Sequence, residues 1–176
     1  MALPDYIEKT QGTAIVWGPS GGAGVTANMS LDALANGAAQ QGASVDLGAN
    51  WAQEWVVVLR VETGTAPTAL NTADCYLAFS SDNTNWPGKV SGSDGSYTLG
   101  TSDANLRQLG PPVASLSATA DANTVLEQAG VIFRPTGRYV APVYDNNLGV
   151  AFRDEATASD NGSRIIIYPL RDVIND

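Results

Sequence analysis

Eighteen Asp and Glu residues stand against no histidine in this chain, and that contrast limits the chemistry open to it. Without imidazole there is no Ser-His-Asp or Cys-His nucleophile system, no imidazole base and no His-ligated metal centre. Carboxylates remain, and the reaction run by two carboxylates is glycoside hydrolysis, which needs them facing each other across a cleft. Glu54 and Glu62 share a face of one predicted strand, but they lie roughly 26 Å apart at strand rise. Asp154 and Glu155 are adjacent and point to opposite faces. A pair such as Glu127 with Asp145 could be made only by the fold. Solvated turn and edge carboxylates are the expectation, and the chain is expected not to be an enzyme.

Other ligand chemistries are equally bare. The stretches "SGSDGS", "DNN" and "SDNGS" offer oxygen ligands beside glycines. None has the spacing of an EF-hand loop, and Asp and Asn favour turns for backbone reasons of their own. "GPSGGAG" at 18–24 lacks the Gly-Lys-Ser/Thr ending of a phosphate-cradling loop. Cys75 is the single cysteine, which excludes an intrachain disulfide and a cysteine zinc site; set among Ala73, Leu77 and Phe79, it reads as a small core residue. No cofactor is expected.

The residues left as candidates are aromatic and amide side chains. In "CYLAFSSDNTNWPGKV", strand residues to Phe79 lead into a corner where Asp82, Asn83 and Asn85 favour a tight turn. Trp86 then returns toward the sheet, either packing over the strand end or stacking on a sugar or a neighbouring subunit. Trp17, Trp51, Asn83, Asn85 and Trp86 are the candidate partner-binding residues, with Tyr97 a further aromatic whose exposure would matter.

The elements that position them follow from periodicity. In "WAQEWVVVLRVETG", Trp55, Val57, Leu59 and Val61 point one way, and Glu54, Val56, Val58, Arg60 and Glu62 the other, as in a half-buried strand. "ADCYLAFSS" alternates likewise, and "GVIFRP", "RYVAPVYD", "LGVAFRD" and "RIIIYPLRD" are short apolar runs closed by turn residues. "RIIIYPLRD" is expected in the middle of a sheet, with Pro169 at an edge or bulge. "RPTGR" and "YDNNLG" suit hairpins. Residues 1–43 are Gly- and Ala-rich, with a short helix expected in "MSLDALANGAAQ" behind Ser30 as N-cap. They read as an arm, and residues 44–176 as one domain. No period of 20 to 50 residues is evident. The fold class expected is all-β, an antiparallel β-sandwich or jelly roll with an extended N-terminal arm.

The bulk composition narrows the partners. A net charge of −9 and scattered Lys and Arg disfavour nucleic acid and an anionic membrane. No stretch approaches the roughly 20 apolar residues of a membrane span, and "MALPDYIEKTQG" lacks the pattern of a secretory signal, so synthesis in the cytoplasm is expected.

The Gly/Ala-rich arm, the S-x-D-N-x-x-W corner ending at Trp86 and the late "VIFRPTGRYV" strand pair resemble small β-sandwich virion proteins of tailed bacteriophages, in particular capsid decoration (cement) proteins and related head or tail fibre modules. The resemblance covers roughly residues 44–170. It implies a structural protein of the virion, on the capsid exterior, that bridges neighbouring major capsid subunits and contacts copies of itself, as a trimer in such families. It implies no catalysis and transfers no site residue. "SSDNTNW" also resembles the strand corner of discoidin-like carbohydrate-binding sandwiches, so the alternative is a carbohydrate- or receptor-binding module of a tail or baseplate.

Overall fold

β-Branched and small apolar residues at alternate positions build almost everything in the computed structural model, which describes residues 6–48, 51–121, 125–154 and 162–175. The strands are β1 (Tyr6–Gln11), β2 (Ile15–Gly18), β3 (Ala27–Asn28), β4 (Ala38–Gln41), β5 (Val45–Asp46), β6 (Glu54–Glu62), β7 (Thr72–Ser80), β8 (Gly95–Tyr97), β9 (Ala114–Ser117), β10 (Val125–Phe133), β11 (Tyr139–Asn146) and β12 (Arg164–Asn175). Among the described residues the single α-helix, α1 (Ala104–Arg107), is one turn long, as expected of a chain without helical periodicity.

The strands form two six-stranded sheets. The first runs β10-β6-β12-β2-β3 with β1 also beside β12; the second runs β8-β4-β11-β7-β9 with β5 also beside β11. Every pairing is antiparallel except β2 with β3. Trp55, Val57, Leu59 and Val61 of β6 and Ile165 and Ile167 of β12 enter one buried cluster with Ala73, Cys75 and Leu77 of β7 and Val140 and Tyr144 of β11. The two sheets thus share one core, and Cys75 sits in it as expected. "RIIIYPLRD" lies in the middle of the first sheet, between β6 and the β1–β2 side.

Residues 6–43 are not an arm on this body but part of both sheets. Trp17, Met29 and Leu31 are fully buried in the shared core, and the expected boundary after residue 43 falls between β4 and β5, which pair with the same strand. The expected helix behind Ser30 is also absent. Ser30 caps nothing, because its N–H and Oγ both donate to the Asp94 carboxylate, at 2.9 and 2.6 Å. A chain stapled there by its first polar group turns instead of winding, and Leu31 and Leu34 drop into the core.

Neither expected hairpin forms. The "RPTGR" turn carries the chain from β10 in the first sheet to β11 in the second, and "YDNNLG" leads from β11 to Phe152, which bridges to Thr63 after β6. Turn residues set where a chain reverses, but which sheet takes the next strand is decided by pairing.

A local device occurs twice. Gln11 opposes Leu170 and Ile15 opposes Ile167, so residues 12–14 bulge against Tyr168 and Pro169. Gln41 opposes Val143 and Val45 opposes Val140, so residues 42–44 bulge against Ala141 and Pro142. In each case the glycine N–H donates to the proline carbonyl at 2.9 Å. A strand residue directs its N and its carbonyl to the same side, so the proline's missing donor faces the bulge, where no ladder bond is lost. The proline rings fit because Gly12 and Gly42 have no side chain: a Cβ would stand 2.8 Å from Pro169 Cγ or 2.9 Å from Pro142 Cγ. The stretches "QGTAI" and "QGASV", 30 positions apart, are thus a short repeat where no repeat was expected.

Candidate functional site

Alternation gives each sheet an outer face, and the two outer faces differ. That of the second sheet, with Ala39, Ala78, Ala141 and Val143, is roofed by the chain itself: Val90, Tyr97 and Leu106 complete a second buried cluster, with Trp86, Leu99 and Leu109 packed on it. Tyr97 Oη donates to the Gly88 carbonyl at 2.5 Å and Asn105 Nδ2 to the Thr98 carbonyl at 2.6 Å, which fixes the roof.

The outer face of the first sheet carries a row of apolar side chains with no such roof among the described residues. Val56 lies opposite Ile132 and Tyr168, and Val58 opposite Ile166. The four on β6 and β12 are half-buried, Ile132 is 60% exposed, and none belongs to either buried cluster. A sheet face that meets water is normally polar, whereas β6 carries valine on both faces through its middle.

Charges flank this row. At one end Lys9 Nζ lies 2.7 Å from Glu54 Oε2 and 3.2 Å from Asp172 Oδ1, and Arg134 reaches Glu54 Oε1 at 2.9 Å. Glu54 is held below the usual carboxylate range by its bonds from Lys9 and then Arg134, while Lys9 is raised by its bonds to Glu54 and then Asp172. At the other end Arg60 stands between Glu127 and Arg164 in register, and Arg153 pairs with Glu62.

Beside the first charged end opens a cleft of about 430 Å³, lined in part by Trp51, Gln53, Glu54, Lys9 and Asp172. Trp51 is 50% exposed, the largest side chain among the exposed apolar ones described. It is the one expected partner-binding residue that presents a half-exposed apolar side chain at a cleft.

The other candidates lie elsewhere. Trp17 is fully buried, donating from Nε1 to the Ala43 carbonyl at 2.7 Å and so tying β2 to the bulge in the other sheet. Its indole is a core group with no exposed surface, in contrast to its expected place among the partner-binding residues. Asn83 and Asn85 are exposed at the corner after β7, where Asp82 organises the turn. Asp82 Oδ1 accepts from the N–H groups of Thr84 and Asn85 at 2.9 Å each, and Oδ2 from Asn85 Nδ2 at 2.7 Å. Those backbone donors hold its carboxyl far below the usual range. Asn85 is thereby spent within the turn, and Trp86 packs on the roof of the second sheet. The five candidates do not converge. Sequence reasoning passed over Val56, Val58, Ile132, Ile166 and Tyr168, and the signal available was valine at consecutive positions of β6.

Catalytic arrangements fare no better. Glu127 and Asp145 fall in different sheets, and Glu155 lies outside the described residues. Asp94 of "SGSDGS" is taken up by Ser30 and by Gln40 Nε2. Among the described residues no three His, Cys, Asp or Glu side chains are grouped to hold a metal ion, and no helix is long and apolar enough to cross a membrane. Burial pushes the Cys75 thiol up and away from the reactive thiolate. No family model, curated protein or solved structure matches the chain.

Proposed function

We propose that this chain is a non-enzymatic structural protein of a bacteriophage particle, a β-sandwich that decorates the capsid exterior and bridges neighbouring major capsid subunits, in contact with copies of itself as a homotrimer. The observation that supports the reading is the unroofed apolar row Val56, Val58, Ile132, Ile166 and Tyr168. An apolar centre with a charged rim is the anatomy of a protein interface, and Trp51 at its end suits an anchor. The net charge of −9 keeps free copies apart before they meet a partner. Nothing in this reading needs nucleic acid or membrane.

The test is gold-conjugated antibody on intact phage particles viewed by electron microscopy, with co-sedimentation of Val58→Glu protein on particles stripped of it. Label spread over heads and about a tenfold loss of binding by the variant, at unchanged melting temperature, are expected. Absence of label, with no peptide of this chain in purified particles, would sink the reading.

A second reading, a carbohydrate-binding module on a tail or baseplate, is favoured by the Trp51 cleft. Its Lys9 and Arg171 balance Glu54 and Asp172, so a neutral polyol stacked on the indole is the fitting guest. Label confined to the tail, and a tryptophan fluorescence shift with host polysaccharide that Trp51→Ala removes, would favour it over the first.

A further inference from the structure

A second cleft, of about 270 Å³, lies on the other side of the molecule, between the outer face of the second sheet and α1, and Asp74, Asp103, Asp145, Asn147, Tyr76 and Arg107 line it. We propose that this cleft receives a single guanidinium side chain from a neighbouring protein. The site is distinct from the unroofed face of the first sheet.

Asp74 and Asp145 are directly opposite across β7 and β11, which sets their Cβ atoms about 4.5–5.5 Å apart. Like charges so placed repel, and the sheet holds them there nonetheless. Asp74 is partly satisfied, accepting from Ser115 Oγ and, at 3.2 Å, from Thr72 Oγ1. Asp145 is not. It is only 7% exposed, its Oδ2 accepts from Asn147 Nδ2 at 2.8 Å, and its buried Oδ1 meets no donor among the described residues. A buried carboxylate oxygen without a donor is costly, and a cation that brings donors removes that cost. Three carboxylates against the one Arg107 leave the cleft with an excess of two negative charges. Burial first, then Asp74 and Asp103, raises the Asp145 carboxyl, so the cleft resists its own charge.

The shape and chemistry select the kind of cation. A divalent metal needs several oxygens about one point at roughly 2.3–2.6 Å, and among the described residues no three acidic side chains are so grouped. A guanidinium carries five donors in a plane and can serve carboxylates that share no common point. The volume is below the roughly 300–1,000 Å³ of sites for drug-sized ligands, and suits one side chain.

The test is an amide NMR titration of the intact protein with N-acetyl-arginine amide at fixed ionic strength. N-acetyl-citrulline amide, its neutral isostere, and calcium chloride run as separate arms. Saturable shifts of the Asn147 side-chain amide and the Leu106 and Gly110 amides are expected with the arginine compound. They should weaken about tenfold, the loss of one charge-assisted contact, with citrulline and in Asp145→Asn. Asp103→Asn, at the exposed N-cap of α1 whose left-handed backbone asparagine tolerates, is the second variant in case the first does not fold. No saturable shift, equal binding of citrulline, or calcium saturating the same amides at lower concentration would each overturn the proposal. The measurement needs no particle, so its failure is separable from failure of docking through the first sheet.

Discussion

Replacing Gly42 with alanine places a methyl carbon 2.9 Å from Pro142 Cγ, 2.9 Å from Trp17 Cδ1 and 3.2 Å from Pro142 Cδ. Trp17 cannot step aside freely, because its Nε1 is bonded to the neighbouring Ala43 carbonyl. Overpacking of this kind costs about 1–3 kcal/mol, and weakening the indole bond adds about 1 kcal/mol. The stiffer unfolded chain returns about 0.4–1 kcal/mol, so a net loss of about 1–3.6 kcal/mol is predicted. Gly12→Ala differs instructively, since its one contact under 3.4 Å is Pro169 Cγ at 2.8 Å. Pro169→Ala should therefore restore Gly12→Ala to the stability of Pro169→Ala alone, within about 0.5 kcal/mol. Pro142→Ala should rescue Gly42→Ala only in part, because Trp17 remains. Urea unfolding of the four single and two double variants at constant m-value reads these numbers. Gly95→Ala, with nothing within 4 Å of its Cβ, is the control and should stay within about 0.5 kcal/mol. The reasoning fails if Gly42→Ala costs no more than this control, or if Pro169→Ala gives Gly12→Ala no relief.

Deleting residues 2–43 removes β1–β4 and the buried Trp17, Met29 and Leu31, so the remainder should show no cooperative melt; a sharp transition by circular dichroism would contradict the described sheets. Asp46 is held down to about 2 by Arg138 and the Gly48 N–H. Its folded value lies below its unfolded one, so its stabilisation is complete above 3.8 and is lost as pH falls from there toward 2; Asp46→Asn should flatten that acid limb of melting temperature against pH, and an unchanged slope would count against the pair. Asp145 has the opposite sign: its folded carboxyl is raised, so stability falls as pH rises past the ordinary aspartate value, and Asp145→Asn should melt higher than the parent at pH 7. Cys75, fully buried, should react with a thiol reagent only at the rate of global unfolding, which a label count at increasing urea would check.

Strands β6 and β7 were legible because their burial follows a period of two along most of their length, and β10, β11 and β12 as short apolar runs closed by turn residues, whereas β8 and β9 carry neither signal. Trp55, Val57, Leu59 and Val61 announce a core face whatever they pack on. The first 43 residues were not, because β2, β3 and β4 are two to four residues long, too short for a period to show. The burial of β2 and β4 comes from β12 and β11, far along the chain. Trp17 illustrates the limit: among glycines and alanines a tryptophan looks like a surface anchor until its partner, the carbonyl of Ala43, is known. Ser30 is a sound helix cap in isolation, and only the fold brings Asp94 to it. The bulges were half visible, since Pro142 and Pro169 are poor strand residues, but their pairing with Gly42 and Gly12 is a matter of register. As for the candidate site, Val56 and Val58 were seen as the outward set of a half-buried strand. That outward valines without a roof form a surface of their own required knowing that residues 86–110 cover the other sheet.

The pairing of β1 and β2 with β12 also bears on how the protein is made. Synthesis runs from the N-terminus, and Gly18, where β2 ends, emerges 146 residues ahead of Arg164, where β12 begins. At about 5–20 residues per second this is a wait of roughly 7–30 s, during which Trp17 and the edge of β2 have no β12 to close on. The first sheet can be completed only once β12 has been made. A nascent chain of this kind presents unpaired strand edges to other nascent chains on the same message, so ribosome spacing and the availability of a holding chaperone, more than the final stability, are expected to set the yield of folded protein.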